Sequence, residues 1–253
     1  MRKLALVSMV LMFATGVASG AVTTSTQHGP ESTSLNGQIA VGDLISGQIG
    51  VEQAGDTGWH PAVSDPLDKL PAFTDDAGIR ATGLTGLMND FPGAGNPAKL
   101  VRYSLSGAKD VASIQILTGN NGKDGRVFST TVVHYSTDNA GSFNMLGYFQ
   151  SDPSGTINSG QWGSTLLQIY DDASLTLLAG VTHVQFDLYA VDNTGGQNRD
   201  PFDGLNPFTG ADDGLSAAFV SPLVLELDVI EVPEPASLLL LAAGLFVCRR
   251  RVA

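Results

Sequence analysis

Apolar residues recurring at every second position constrain this chain more than any other feature of it. Val184, Phe186, Leu188 and Ala190 alternate with His183, Gln185, Asp187 and Tyr189, and Ile114 and Ile116 alternate with Ser113 and Gln115. Thr131, Val133 and Tyr135 oppose Val132 and His134, while Leu223, Leu225, Leu227 and Val229 share one face with Glu226 and Asp228 directed outward. Successive side chains of a strand point to opposite faces, so period two marks a strand with one face buried. Between the two chain ends, no segment sustains the i, i+3, i+4, i+7 spacing of a helix for three turns. The pattern predicts strands near 101–105, 111–118, 128–136, 143–149, 164–170, 181–190 and 219–230, with Gly, Asn, Asp, Ser and Thr clusters as turns. Seven or more short strands with turn-rich links predict an all-β fold, a β-sandwich.

The two ends obey a different logic. Met1-Arg2-Lys3 is basic, Leu4 to Val17 is apolar, and Ala18-Ser19-Gly20-Ala21 supplies small residues for cleavage, so residues 1–21 read as a signal peptide. Val232-Pro233-Glu234-Pro235 is stiff, because each proline fixes its own φ and disfavours helix at the residue before it. Ala236 to Cys248 is then an unbroken apolar run of 13 residues, closed by Arg249, Arg250 and Arg251. A spanning helix needs about 20 residues, although arginine snorkelling lengthens the effective span. The run is either a short membrane anchor with its arginines on the cytoplasmic side or a core helix ending in arginines.

The order Val232, Pro233, Glu234, Pro235, an apolar stretch, then Arg249, Arg250 and Arg251 resembles the PEP-CTERM sorting signal. The resemblance implies export, transient anchoring through a C-terminal transmembrane helix, and processing near Pro-Glu-Pro by an exosortase-type membrane protease. It further implies residence at the cell surface or in an extracellular matrix containing polysaccharide.

Between the ends, residues 22–55 are Thr/Ser/Gly-rich and weakly apolar, and read as a flexible N-terminal arm. Residues 56–231 read as the sandwich domain and 232–253 as the sorting and anchor segment. The net charge is −12 and every acidic residue follows Ala21. Such a body is a poor partner for nucleic acid or anionic lipid, and suits cations and neutral ligands such as glycans. The single cysteine, Cys248, lies in the tail, so the body has no disulfide and no thiol chemistry.

Val111 to Leu117, Gly125-Arg126-Val127, Val132 to Asp138 and Phe143 are similar to the discoidin-type, galactose-binding-like jelly roll. That resemblance implies one structural calcium ion near Phe73–Gly78 and Leu87–Asp90, with Asp75, Asp76, Asn89 and Asp90 as candidate ligands and Glu226 closing the site. Calcium takes six to eight oxygens from carboxylates and loop carbonyls. Asp and Asn are also simply good turn formers. For a carbohydrate, Trp59 and Trp162 are candidate stacking platforms and Arg126 a candidate contact, with Tyr148, Phe202 and Phe208 as further aromatics. The alternatives are tryptophans in the core and a structural ion pair for Arg126. The loop Asp192 to Gly214, with Asp192, Asp200, Asp203, Asp212 and Asp213, is either a second cation or sugar site or a solvated insertion.

Enzyme signatures are missing. There is no Gly-x-Ser-x-Gly elbow and no His-Glu-x-x-His, and His28, His60, His134 and His183 are scattered. The expectation is an exported surface or matrix protein, not an enzyme, whose sandwich binds carbohydrate or another neutral ligand. A structural or adhesive matrix component is the alternative. A polysaccharide hydrolase would need paired carboxylates in a cleft.

Overall fold

The computed structural model describes residues 21–152, 158–191 and 199–233. The leader Met1 to Gly20, the sorting tail from Glu234 onward and Asp192 lie outside them. The described residues form eight strands: β1 (Val22–Gly29), β2 (Val51–Glu52), β3 (Lys99–Gly119), β4 (Thr130–Ser136), β5 (Asn144–Gln150), β6 (Ser164–Asp171), β7 (Leu178–Leu188) and β8 (Val224–Glu231). They form one antiparallel sheet in the order β1-β6-β3-β7-β4-β5, with β2 and β8 also paired to β3.

The 21-residue β3 holds the fold together. Lys99 to Ser104 pairs with β7, with β2 alongside, whereas Ser113 to Gly119 lies between β6 and β8. The register shifts between Ser104 and Lys109 and again before Val111, and Gly107 supplies a left-handed φ of 90° there. Bulges bend a strand and increase its twist. The sheet therefore curls over, and its two halves meet face to face. Val101, Tyr103, Val133 and Phe186 from one half pack with Ile114, Ile116, Leu167, Ile169, Leu227 and Val229 from the other in a single core. The all-β sandwich expected from the alternation is present, and the two strands expected at 101–105 and 111–118 are halves of β3.

One expectation is corrected. Val22 to Gly29, read as flexible arm, pairs along its whole length with β6, from Val22 opposite Asp171 to Gly29 opposite Ser164. An edge strand buries little, and its Thr-rich sequence offers β-branched residues that fit a pleated surface without an apolar run. The segment after it also packs: Leu35 joins Leu117, Leu166 and Leu225, and Ile45 is fully buried in the main core.

The pairing orients the molecule. Thr23 opposes Tyr170, Tyr170 opposes Ser113, and Ser113 opposes Ile230. Both ends of the body thus leave the sheet from one side, roughly 14 Å apart at the usual strand spacing. The opposite end is a cluster of loops joined by backbone bonds: Asn120 N to Gly163 O, Leu223 N to Arg126 O, Val191 N to Val220 O and Phe91 N to Phe219 O.

Candidate functional site

Arg126 lies in a one-turn 3-10 helix whose N-cap, Asp124, accepts a bond from the Arg126 N–H. Its guanidinium donates twice to Asp90, at 3.0 Å each, and once to the Ser221 carbonyl at 2.7 Å. The Ser221 N–H donates to the same carboxylate at 2.8 Å, and His60 Nε2 stands 3.6 Å from it. Of the two readings of Arg126, the geometry is that of the structural ion pair, with both side chains largely buried. It commits Asp90, and Asn89 is held by the Thr57 carbonyl. These two residues therefore stay apart from Asp75, Asp76 and Glu226.

The pair sets the position of Phe91, which sequence patterning did not single out. Phe91 adopts φ 58°, an outlier for a bulky side chain, and is 72% exposed. It stacks on Phe219 with ring centroids 5.3 Å apart and planes 13° from parallel. The Arg199 guanidinium lies over the Phe219 ring at 5.6 Å. Gly95 N bonds the Pro201 carbonyl, joining the Phe91 loop to the loop after residue 199, where Leu205 is also exposed. In that loop Phe208 stacks on Tyr148 at 5.2 Å and meets Phe202 edge-on.

Trp59 and Trp162 are occupied elsewhere. Trp59 tilts onto Phe73, donates Nε1–H to Glu52, and lies 4.1 Å from the ammonium of Lys99. Lys99 is fully buried and pairs with Glu52 and Asp56 at 2.8 Å each, so Trp59 caps a buried cation. Trp162 stacks on His28 at 5.2 Å over Val127 and Phe128, and Asn158 holds its backbone N–H and C=O. The structure does not bring Trp59, Arg126 and Trp162 together.

A second constellation lies along the last strand. Glu226 and Asp228, expected to face solvent, are 0% and 1% exposed. They alternate with Leu227 and Val229 as read, but the segments at 40–46 and 74–78 cover them. Ala77 N–H donates to Glu226 at 3.3 Å and Ala40 N–H to Asp228 at 3.3 Å. Asp43 accepts from the N–H groups of Ile45 and Val229, both at 2.9 Å. Asp76 accepts from Gly42 N–H at 3.2 Å and Ser46 Oγ–H at 2.6 Å. Burial, then the neighbouring charges of Asp228 and Asp75, push Glu226 up to about 9. Burial is also the largest cause for Asp228, pushed up to about 7, and for Asp43, which is raised. Of the five calcium candidates the structure gathers Asp75, Asp76 and Glu226, and adds Asp43 and Asp228. Neither added residue had a sequence signal: Asp43 sits in the weakly apolar 39–45 stretch, and Asp228 reads as the polar side of a half-exposed strand. Among the described residues, no three His, Cys, Asp or Glu side chains converge closely enough to ligate a metal by themselves.

The tail begins where the sheet ends. Glu231, the last residue of β8, pairs with Lys109 at 2.8 Å, and the Val232 N–H donates to the Asp110 carbonyl at 2.8 Å. Pro233 then breaks any further pairing, since it carries no N–H. No helix among the described residues is long and apolar enough to cross a membrane, and the apolar run at 236–248 lies outside them. No curated protein matches the chain. Residues 231–252 match the PEP-CTERM protein-sorting motif. The chain therefore carries, directly after its last strand, the signal of an exported, transiently membrane-anchored protein processed by an exosortase.

Proposed function

We propose that the mature protein resides at the cell surface or in the extracellular matrix, where its galactose-binding-like sandwich retains a neutral carbohydrate. The observation that carries the ligand reading is Phe91. An exposed ring held at positive φ costs on the order of 1–3 kcal/mol, and such strain clusters at binding sites. Backed by Phe219, its free face is a rigid apolar plane of the kind that sugar C–H faces stack on, with polar groups nearby to fix orientation. The site lies in the loop cluster opposite the two chain ends, so it points away from the membrane while the tail is anchored. The acidic surface disfavours polyanions and leaves neutral glycans as the ligand class. The reading assigns no catalytic step.

Retention on neutral polysaccharides from the native matrix tests it. Phe91→Ala is expected to weaken retention at least tenfold with the fold intact by circular dichroism, and Trp59→Phe to leave it unchanged. Equal retention by Phe91→Ala refutes the platform. A second reading, a structural or adhesive component without a small-molecule site, is favoured by the engagement of both tryptophans in internal contacts. It predicts no saturable glycan binding by the wild-type protein.

A further inference from the structure

We propose that the end of the body from which the tail departs is a docking face for the membrane protease that processes the tail, with Val41 and Leu175 as its apolar contacts. The matched sorting motif starts at Glu231, the last residue of β8 and still inside the fold. Glu231 pairs with Val111 and is held by Lys109 at 2.8 Å, and the Val232 N–H is bonded to the Asp110 carbonyl. Only Pro233, Glu234 and Pro235 separate this fixed point from the apolar run that begins at Ala236. Three residues reach at most about 10–11 Å, whereas a body of roughly 210 residues has a radius of gyration of about 17 Å. An enzyme that grips Pro-Glu-Pro therefore meets the body as well as the tail, on the face beside Val232.

That face carries a row of side chains across three strands. Ser113 opposes Ile230 of β8 and Tyr170 of β6, so the three project to one side of the sheet. It is the side away from the core, which takes Ile114, Ile169 and Val229 from the adjacent positions. Val41 lines a hollow with Ile230 and Glu231 at one end of the row, and Leu175 lines a second with Ser113 and Tyr170 at the other. At 76% and 77%, Val41 and Leu175 are the two most exposed large apolar side chains among the described residues, so the fold itself makes little use of them. Glu231 borders the first hollow and Asp171 the second. Apolar contacts inside a polar rim are the anatomy of a protein interface. The carboxylates repel anionic lipid, which favours the protease over the bilayer as the occupant.

This inference rests on the sorting motif and is independent of the glycan reading. The full chain is expressed in its native host, and conversion of precursor to the shorter form is followed by pulse-chase and immunoblotting. Val41→Lys, Leu175→Lys and Leu175→Glu should each slow conversion roughly fivefold or more, the scale of one interface hot spot, with Tm unchanged. Equal losses from both charges at position 175 separate a lost contact from an altered charge near the membrane. Leu67 is also exposed, beside Asp68, whose carbonyl accepts from Gly86 N–H at the start of β8, the far end of that strand. Leu67→Lys should convert at the wild-type rate. A flexible spacer of about 12 Gly and Ser residues after Val232, reaching roughly 19 Å, should slow the wild type and erase its advantage over the variants. Conversion of all three variants at the wild-type rate overturns the proposal, and the row then rests on lipid or on nothing. Faster or unchanged conversion of the spacer form also overturns it, because the body would then be an obstacle or a bystander.

Discussion

Replacing Arg126 by methionine tests whether the loop cluster opposite the tail is held by an ion pair or arranged for a ligand. The change keeps most of the side-chain length and removes three charge-assisted bonds, two to Asp90 and one to the Ser221 carbonyl. Asp90 is then left 13% exposed with the Ser221 N–H and a His60 nitrogen 3.6 Å away. Breaking a largely buried pair from one side costs about 3–5 kcal/mol, because the remaining charge is stranded. For a body of this size that corresponds to a fall in Tm of roughly 6–20 °C. Asp90→Asn should cost a similar amount. The double substitution should cost less than the sum, with a coupling on the order of 2 kcal/mol or more, because no stranded charge remains. Urea unfolding of the wild type, both single variants and the double variant gives all the terms. A loss below about 1 kcal/mol for Arg126→Met, the value of an exposed pair, would refute the reasoning. So would strict additivity, and Arg126 would then have to be read as a ligand contact.

Gly86→Ala should destabilise by at least about 2 kcal/mol, near the upper end of ordinary single substitutions. Gly86 has φ 63°, and an added Cβ would fall on the Val224 carbonyl oxygen; an unchanged urea midpoint would contradict this. Asp138 accepts bonds from Ser136 Oγ–H and from the N–H and Oγ–H of Ser142, which lower its carboxyl from 3.8 to about 2. Its contribution to the turn is fully present above pH 4 and vanishes as pH falls through about 2. A carboxyl carbon titrating near 3.8 by NMR would sink that account.

The fold was legible wherever one strand face is apolar. Val184 to Ala190 and Thr131 to Tyr135 announce β7 and β4 because alternation is a direct consequence of the pleat. β1 was not legible: an edge strand needs only backbone pairing on one side, and Thr23 to Gln27 carry no apolar residue to betray it. Glu226 and Asp228 were placed on the correct alternate positions and given the wrong environment. Alternation tells which residues oppose Leu227 and Val229, but not that a loop from residues 40–46 will cover them. The same limit applies to the site. Asp90 and Asp75 are indistinguishable as turn carboxylates, and only three-dimensional pairing assigns the first to Arg126 and leaves the second beside Glu226. Trp59 looked like a platform because the buried Lys99 beneath it is forty residues away in sequence. The sorting motif at 231–252 was legible, because Pro-Glu-Pro, an apolar run and three arginines follow one another in linear order.

The central claim is that a folded sandwich is exported and then released from its own anchor. Intact-mass determination of the protein from its native host, with surface and medium fractions kept apart, tests it most directly. The predicted mass is that of a chain beginning near Val22 and ending close to Pro233-Glu234-Pro235, just beyond the Val232 bond to Asp110. A mature protein that keeps Ala236 to Ala253 would contradict the claim and make the tail a permanent anchor.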